Sequence, residues 1–137
     1  MNSTVIGIAE QKIDSKNRII LPSFTHVKDR DSVAFFRDDA FLSIYGADYI
    51  TKLIDEFHKE DLKRFKDFLV LKRKYDELCS RVVSRSIVDK QRRVLLPSVL
   101  RDFYQFKDNV VIVGALDHIN IFKNREDAFG WCKGRNM

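Results

Sequence analysis

The sequence predicts an α+β protein built mainly from strands, and three observations carry that prediction. Short runs rich in β-branched and aromatic residues are set off from one another by polar turns. The order of these runs occurs twice, with "IDSKNRIILPS" at residues 13–23 written again as "VDKQRRVLLPS" at residues 88–98. Clear helical periodicity is concentrated near the middle of the chain.

Taken in order, Val5 to Ile13 reads as a strand that enters the charged loop Asp14-Ser15-Lys16-Asn17-Arg18, and a short apolar strand, Ile19 to Leu21, leaves it. Pro22 is placed to begin a short helix or turn, where a missing N–H costs nothing. Val33 to Phe36 and Phe41 to Tyr45 form a hairpin around Arg37-Asp38-Asp39. A helix follows, because Ile50, Leu53, Ile54 and Phe57 keep the i, i+3, i+4, i+7 spacing of one buried face. Asp61 to Cys79 is a second helix, with Leu62, Phe65 and Leu69, then Phe68, Leu71, Tyr75 and Leu78, at three- and four-residue steps. No Gly or Pro interrupts it, so it reads as a structural connector. Its Lys72-Arg73-Lys74 cluster reads as a solvated helix face.

The second copy repeats the first. At an offset of 75 residues (89 − 14), Asp14 falls on Asp89, Arg18 on Arg93, Leu21 on Leu96, Pro22 on Pro97 and Ser23 on Ser98. After a slip of two residues, Asp31-Ser32-Val33 lies over Asp108-Asn109-Val110, and Ile44-Tyr45 over Ile121-Phe122. Val82 to Val88 and Val94 to Leu96 flank the second loop, and Val110 to Val113 and Ile119 to Phe122 form the second hairpin around Asp117-His118. The expected organisation is a first repeat over 5–52, connecting helices over 53–80 and a second repeat over 81–127. Because roughly 60 residues bury too little surface to be stable alone, the two halves should interlock in one core.

Composition bounds the function. The 137 residues carry 25 basic and 20 acidic side chains, a net charge of +5 that permits a nucleic-acid partner without demanding one. Cys79 and Cys132 have no CxxC partner, so neither a zinc site nor a disulfide framework is indicated, and a reducing cytosol fits. "MNSTVIGIAEQ" lacks the features of a signal peptide, and the longest apolar run, Val110 to Leu116, is far short of the roughly 20 residues of a membrane helix. His26, His58 and His118 show no metal-ligand spacing and read as surface or turn residues. Asp38-Asp39 reads as a turn rather than a carboxylate pair, and no nucleophile motif or phosphate-binding Gly-rich loop occurs. No enzyme activity, cofactor, metal, membrane or small-molecule substrate is expected. Phe24, Phe35, Phe36, Phe41 and Phe106 fall in or beside apolar runs and read as packing rather than base-stacking residues.

The duplicated loop admits two readings. In one, Asp14 and Asp89 accept backbone N–H bonds in Asx-type turns, and Arg18 and Arg93 pair with them to hold the loops closed. In the other, the loops bind DNA, since Lys16, Arg18, Lys90, Arg92 and Arg93 gather five cations in two short segments flanked by Lys12 and Arg85. Guanidinium groups on exposed loops suit phosphates and the O6/N7 edge of guanine.

The segments "IDSKNRIILP", "VDKQRRVLLPSVLR" and "VVIVGALDHINIF", with the helix after Ile44-Tyr45, resemble the MraZ family of bacterial transcription regulators, whose halves are each a SpoVT/AbrB-type domain. The resemblance runs from Val5 to about Trp131. It implies a double-split β-barrel of two interleaved swapped-hairpin halves with peripheral helices, assembled into a ring-like homo-oligomer. It also implies a cytoplasmic, nucleoid-associated regulator of a cell-division and cell-wall gene cluster, acting on double-stranded DNA at promoter repeats. The family's DNA-contacting positions carry over to Lys16, Arg18 and Arg93, and Asp14 and Asp89 to the loop-fixing acidic position. Where the family has Gly before the Arg, this chain has Asn17, which tolerates positive φ, and Arg92. Either the second loop bends differently, or Arg92 accepts backbone strain and adds a phosphate contact. The rival function is an AbrB-like scaffold or antitoxin-type module working through a protein partner, for which a tail of Ala128 to Met137 is short.

Overall fold

The computed structural model describes residues 1, 4–59 and 65–135, with the backbone alone at 53, 57–59, 65–68, 71 and 135. The first copy comprises β1 (Ile8–Lys12), β2 (Arg18–Ile20), a 3-10 turn (Ser23–Thr25), β3 (Ser32–Arg37), β4 (Leu42–Gly46) and α1 (Asp48–Lys59). After α2 (Phe65–Ser80) the second copy follows as β5 (Val82–Ile87), β6 (Arg93–Leu95), α3 (Ser98–Tyr104), β7 (Asn109–Gly114) and β8 (His118–Phe122), closed by α4 (Arg125–Arg135). The α+β, mainly strand, architecture agrees with the sequence pattern. Pro22 and Pro97 each sit directly before a helical turn, as their fixed φ favours.

The two copies interlock by strand exchange. The main sheet is antiparallel with order β1-β7-β8-β4-β3-β5, so each copy's first strand pairs with the hairpin of the other copy. At the centre β4 pairs with β8, with Ile44 opposite Ile119 and Leu42 opposite Ile121. A separate two-stranded ladder joins β2 to β6, with Arg18 opposite Leu95 and Ile20 opposite Arg93. Both registers map onto themselves when the copies are exchanged, which gives the chain an internal two-fold. The described strands make two sheets, with no closed barrel among the described residues.

Burial explains why the hairpin strands β3 and β7 are continuous apolar runs rather than alternating ones. One face of β3, β4, β7 and β8 fills the central core with Val33, Phe35, Leu42, Ile44, Val110, Ile112, Ile119 and Ile121. On the other face Val111, Val113 and Phe122 pack with Ala128 of α4, and Ala34 and Phe36 pack with Ile50 of α1. Strands covered on both sides favour apolar residues throughout. The buried polar exceptions, Ser43 and Asn120, lie opposite each other on β4 and β8, where the Ser43 hydroxyl donates to Asn120 Oδ1 at 2.7 Å. The edge strands β1 and β5 instead alternate between more and less exposed residues. Phe35, Phe36 and Phe106 are buried, and Phe24 and Phe41 pack against core clusters, so these rings serve packing.

Two helical expectations are corrected. The face expected from Ile50 through Phe57 is buried at Ile50, which packs with Ala34 and Phe36, but Ile54 is 41% exposed. The side chains of Leu53 and Phe57 lie outside the described residues, as do Leu62 and the side chains of Phe65, Phe68 and Leu71. The segment read as a short tail is α4, docked on β7 and β8. No described helix is long and apolar enough to cross a membrane.

Candidate nucleic-acid interface

Each charged loop is closed by its own aspartate. Asp14 Oδ1 accepts the backbone N–H groups of Lys16 (2.9 Å) and Arg18 (2.8 Å), while Oδ2 accepts Arg18 Nε (2.8 Å). Asp89 repeats the set with Gln91 N (2.9 Å), Arg93 N (2.8 Å) and Arg93 Nε (2.7 Å). The backbone N–H of Arg18, then its guanidinium and the Lys16 N–H, hold the Asp14 carboxyl below the usual carboxylate range, with partial desolvation opposing them. Asp89 is lowered in the same way by Arg93 and Gln91. The Asx-turn reading is therefore correct for Asp14 and Asp89. It also places Arg18 and Arg93 in the loop architecture.

The two loops also lock each other. Asn17 and Arg92 occupy equivalent sites with φ of 60° and 59°, so the second loop has the same bend as the first and Arg92 takes the left-handed conformation. Leu96 N donates to Asn17 O and Leu21 N to Arg92 O, both at 2.7 Å, across the pseudo two-fold. Arg92 Nε donates to Leu21 O (3.0 Å), and Arg101 Nη1 of α3 donates to Asn17 Oδ1. Arg101 is further fixed by the carbonyls of Phe106 and Lys107.

The loops carry exposed cations. Lys16, Lys90 and Arg92 are exposed, as are flanking Lys12 and Arg85. Arg18 and Arg93 keep 29% and 26% of their side-chain surface accessible. Their Nη groups have no hydrogen-bond partner among the described residues, so each guanidinium is oriented by its Asp while its outer edge stays open. Arg18 and Arg93 lie on the outer face of the β2–β6 ladder, at opposite corners from exposed Ile20 and Leu95, while Ile19 and Val94 point into the core. The loops thus bring together every cation and loop-fixing residue expected from the sequence.

Elsewhere the surface is plainer. Lys72, Arg73 and Lys74 are exposed on α2, with Lys72 paired to Asp76 at 2.8 Å. His26 is exposed, and the His58 side chain lies outside the described residues. His118 departs from a turn position: it belongs to β8, stacks on Tyr45 at 4.3 Å and meets Asp117 at 2.7 Å. No group of three or more metal-ligating side chains occurs among the described residues, and both cysteines are free thiols.

Comparison with known proteins gives the chain its relatives. No protein-family model matches it. A Transcriptional regulator MraZ of Finegoldia magna is 30% identical over 115 residues, covering 80% of this chain and 74% of the relative. That of Desulforapulum autotrophicum is 30% identical over 136 residues, covering 91% and 81%. The chain belongs to the MraZ family. A third MraZ, from Cutibacterium acnes, is 27% identical over 131 residues, covering 93% and 84%.

Within this MraZ chain, the α3 residues Arg101 and Tyr104 support the site without having been singled out in the sequence. Arg101 tethers Asn17, while the Tyr104 hydroxyl donates to Asp38 O (2.6 Å) and accepts from Asp38 N (3.0 Å), fixing the β3–β4 turn. Neither carries a repeat signal, because the 75-residue offset sets Arg101 over His26 and Tyr104 over Asp29.

Proposed function

We propose that this protein is a DNA-binding transcription regulator that reads promoter repeats through its two Asp-x-x-x-Arg loops. The observation that carries this reading is the two-fold pair of loops, each self-closed by an aspartate and each holding a guanidinium with an open outer edge beside an exposed lysine. Names of relatives as transcriptional regulators support the same class of function. Arg18 and Arg93 are the proposed base-reading groups, since a guanidinium pre-oriented by a carboxylate loses less freedom on gripping a guanine edge. Lys16, Lys90 and Arg92 are the proposed phosphate contacts, which supply affinity and salt dependence.

One subunit offers few contacts, so the proposed functional unit is a ring-like homo-oligomer, in which linked contacts raise avidity by roughly 10² to 10⁴. Exposed Ile6, Ile8 and Leu116 support self-association. The proposed domain division is 5–52, 53–80 and 81–127. The proposed tertiary form is a double-split barrel in which the β2–β6 ladder links the sheet edges β1 and β5 across the two loops. The proposed location is the cytoplasm, at the nucleoid, and the proposed outcome is repression of the protein's own cell-division and cell-wall gene cluster by promoter occlusion.

Fluorescence anisotropy on the duplex upstream of the gene, beside a scrambled duplex at two salt concentrations, tests the reading. Preference for the upstream duplex that survives higher salt supports it; equal binding that vanishes with salt removes it. A second reading, an AbrB-like scaffold or antitoxin-type module with a protein partner, is favoured by one observation: Ile20 and Leu95 are 43% and 57% exposed on the ladder face itself. Retention of a partner protein by a charge-reversed loop variant would support it.

A further inference from the structure

A pocket of about 440 Å³ opens where the β3–β4 turn, the end of β8 and α4 meet, lined by Phe41, Phe122, Trp131, Glu126, Asp127 and Gly130. Its three rings lie against one another, with centroids 5.2 Å apart for Phe41–Phe122 and 5.8 Å for both Phe41–Trp131 and Phe122–Trp131. Gly130 also lines it, and a Cβ there would meet nothing within 4 Å, so a longer side chain can be added at this position without a backbone clash.

Two carboxylates line this aromatic pocket, in a chain whose net charge is +5. Asp127 has one long ion pair, to Lys123 at 4.0 Å, and Glu126 has no cationic partner among the described residues. Arg125 is turned away to Glu10, at 2.9 and 2.6 Å.

We propose that this pocket binds a small organic cation, a guanidinium or alkylammonium carried on a short apolar stem. Aromatic faces attract such a cation, and the carboxylates add charge while the rings and the Gly130 backbone take the stem. A neutral apolar ligand would desolvate the carboxylates without return, an anion would be repelled, and a bare metal ion would leave the aromatic walls unused. The volume falls in the roughly 300–1,000 Å³ range of small-molecule sites, which favours a free ligand over a macromolecular surface. None of these residues lies in the charged loops, so the site stands apart from the DNA reading.

Trp131 is the chain's single tryptophan, so its emission reports on the pocket directly. The test titrates the full-length protein with N-acetylarginine amide and, separately, with its neutral near-isostere N-acetylcitrulline amide, at constant ionic strength. The expected result is a saturable emission change with the cation, about fivefold tighter than with the neutral probe. Glu126→Gln/Asp127→Asn loses that preference. Gly130→Leu fills the pocket with a better helix former and abolishes the response while circular dichroism stays unchanged. Equal responses to both probes, or a response kept in folded Gly130→Leu, would overturn the proposal. So would an emission change set by protein concentration rather than by probe, which would place a second copy's side chain in the pocket.

Discussion

Arg92 illustrates how one residue meets two demands. Its φ of 59° costs a non-glycine side chain about 1 kcal/mol, while its Nε bond to Leu21 O returns a comparable amount. Arg92→Gly should therefore change unfolding free energy by less than about 1 kcal/mol in denaturant titration. It should still lower the salt dependence of DNA binding. Arg18 has a double role too, so Arg18→Ala should cost about 1–3 kcal/mol of binding and relax sequence preference, read by anisotropy on cognate and altered duplexes. Because it also frees Asp14, its melting temperature must be measured beside it. The aspartates set an acid limit: their folded pKa values are depressed, so their contribution is complete above the ordinary carboxylate range and is lost as pH falls through the lower folded values. Asp14→Ala should flatten the acid limb of a stability–pH profile, whereas Asp14→Asn keeps an acceptor for the two N–H groups and should retain more loop order. From the sequence, both aspartates and all five cations were legible, because each loop holds its motif within five residues. Equal bends in the two loops were not, since nothing local to Arg92 announces positive φ.

At the scale of elements, α3 is the link between loop and hairpin. Arg101 reaches back to Asn17, and three residues on Tyr104 clasps the β3–β4 turn at Asp38. Tyr104→Phe should cost about 1–2 kcal/mol, because it removes the hydroxyl donor to Asp38 O and leaves the Asp38 N–H only its longer bond to Phe41 O. Burial, the largest cause, pushes the Tyr104 hydroxyl up to about 12. With a folded value above the unfolded one, its contribution is full below about pH 10 and is lost as pH rises through about 12. Tyr104→Phe should remove that part of the alkaline decline in melting temperature. The strands were legible from their apolar runs, and the hairpins from the polar turns between those runs. α4 was not, because "REDAFGWCKGR" holds two glycines and buries chiefly Ala128, leaving little periodicity to detect.

For the whole molecule, the repeat announces duplication but not exchange. Pairing of β1 with β7 and of β3 with β5 depends on registers between segments far apart in sequence, which no local pattern encodes. The consequence is that neither half is complete alone: each supplies the edge strand of the other's hairpin and the lock on the other's loop. Cutting the chain within 60–64 should yield halves that regain native circular dichroism only when mixed. Such interlocking also holds the two loops at a fixed separation, as bivalent reading of a duplex requires. The most direct test of the account is the slope of log affinity against log salt for the upstream duplex, measured for the protein, Lys16→Ala, Lys90→Ala and the double variant. The account predicts that each single change lowers the slope by roughly one unit per phosphate contact removed, and that the double change lowers it by the sum. An unchanged slope for both lysines would contradict a DNA interface built on the paired loops.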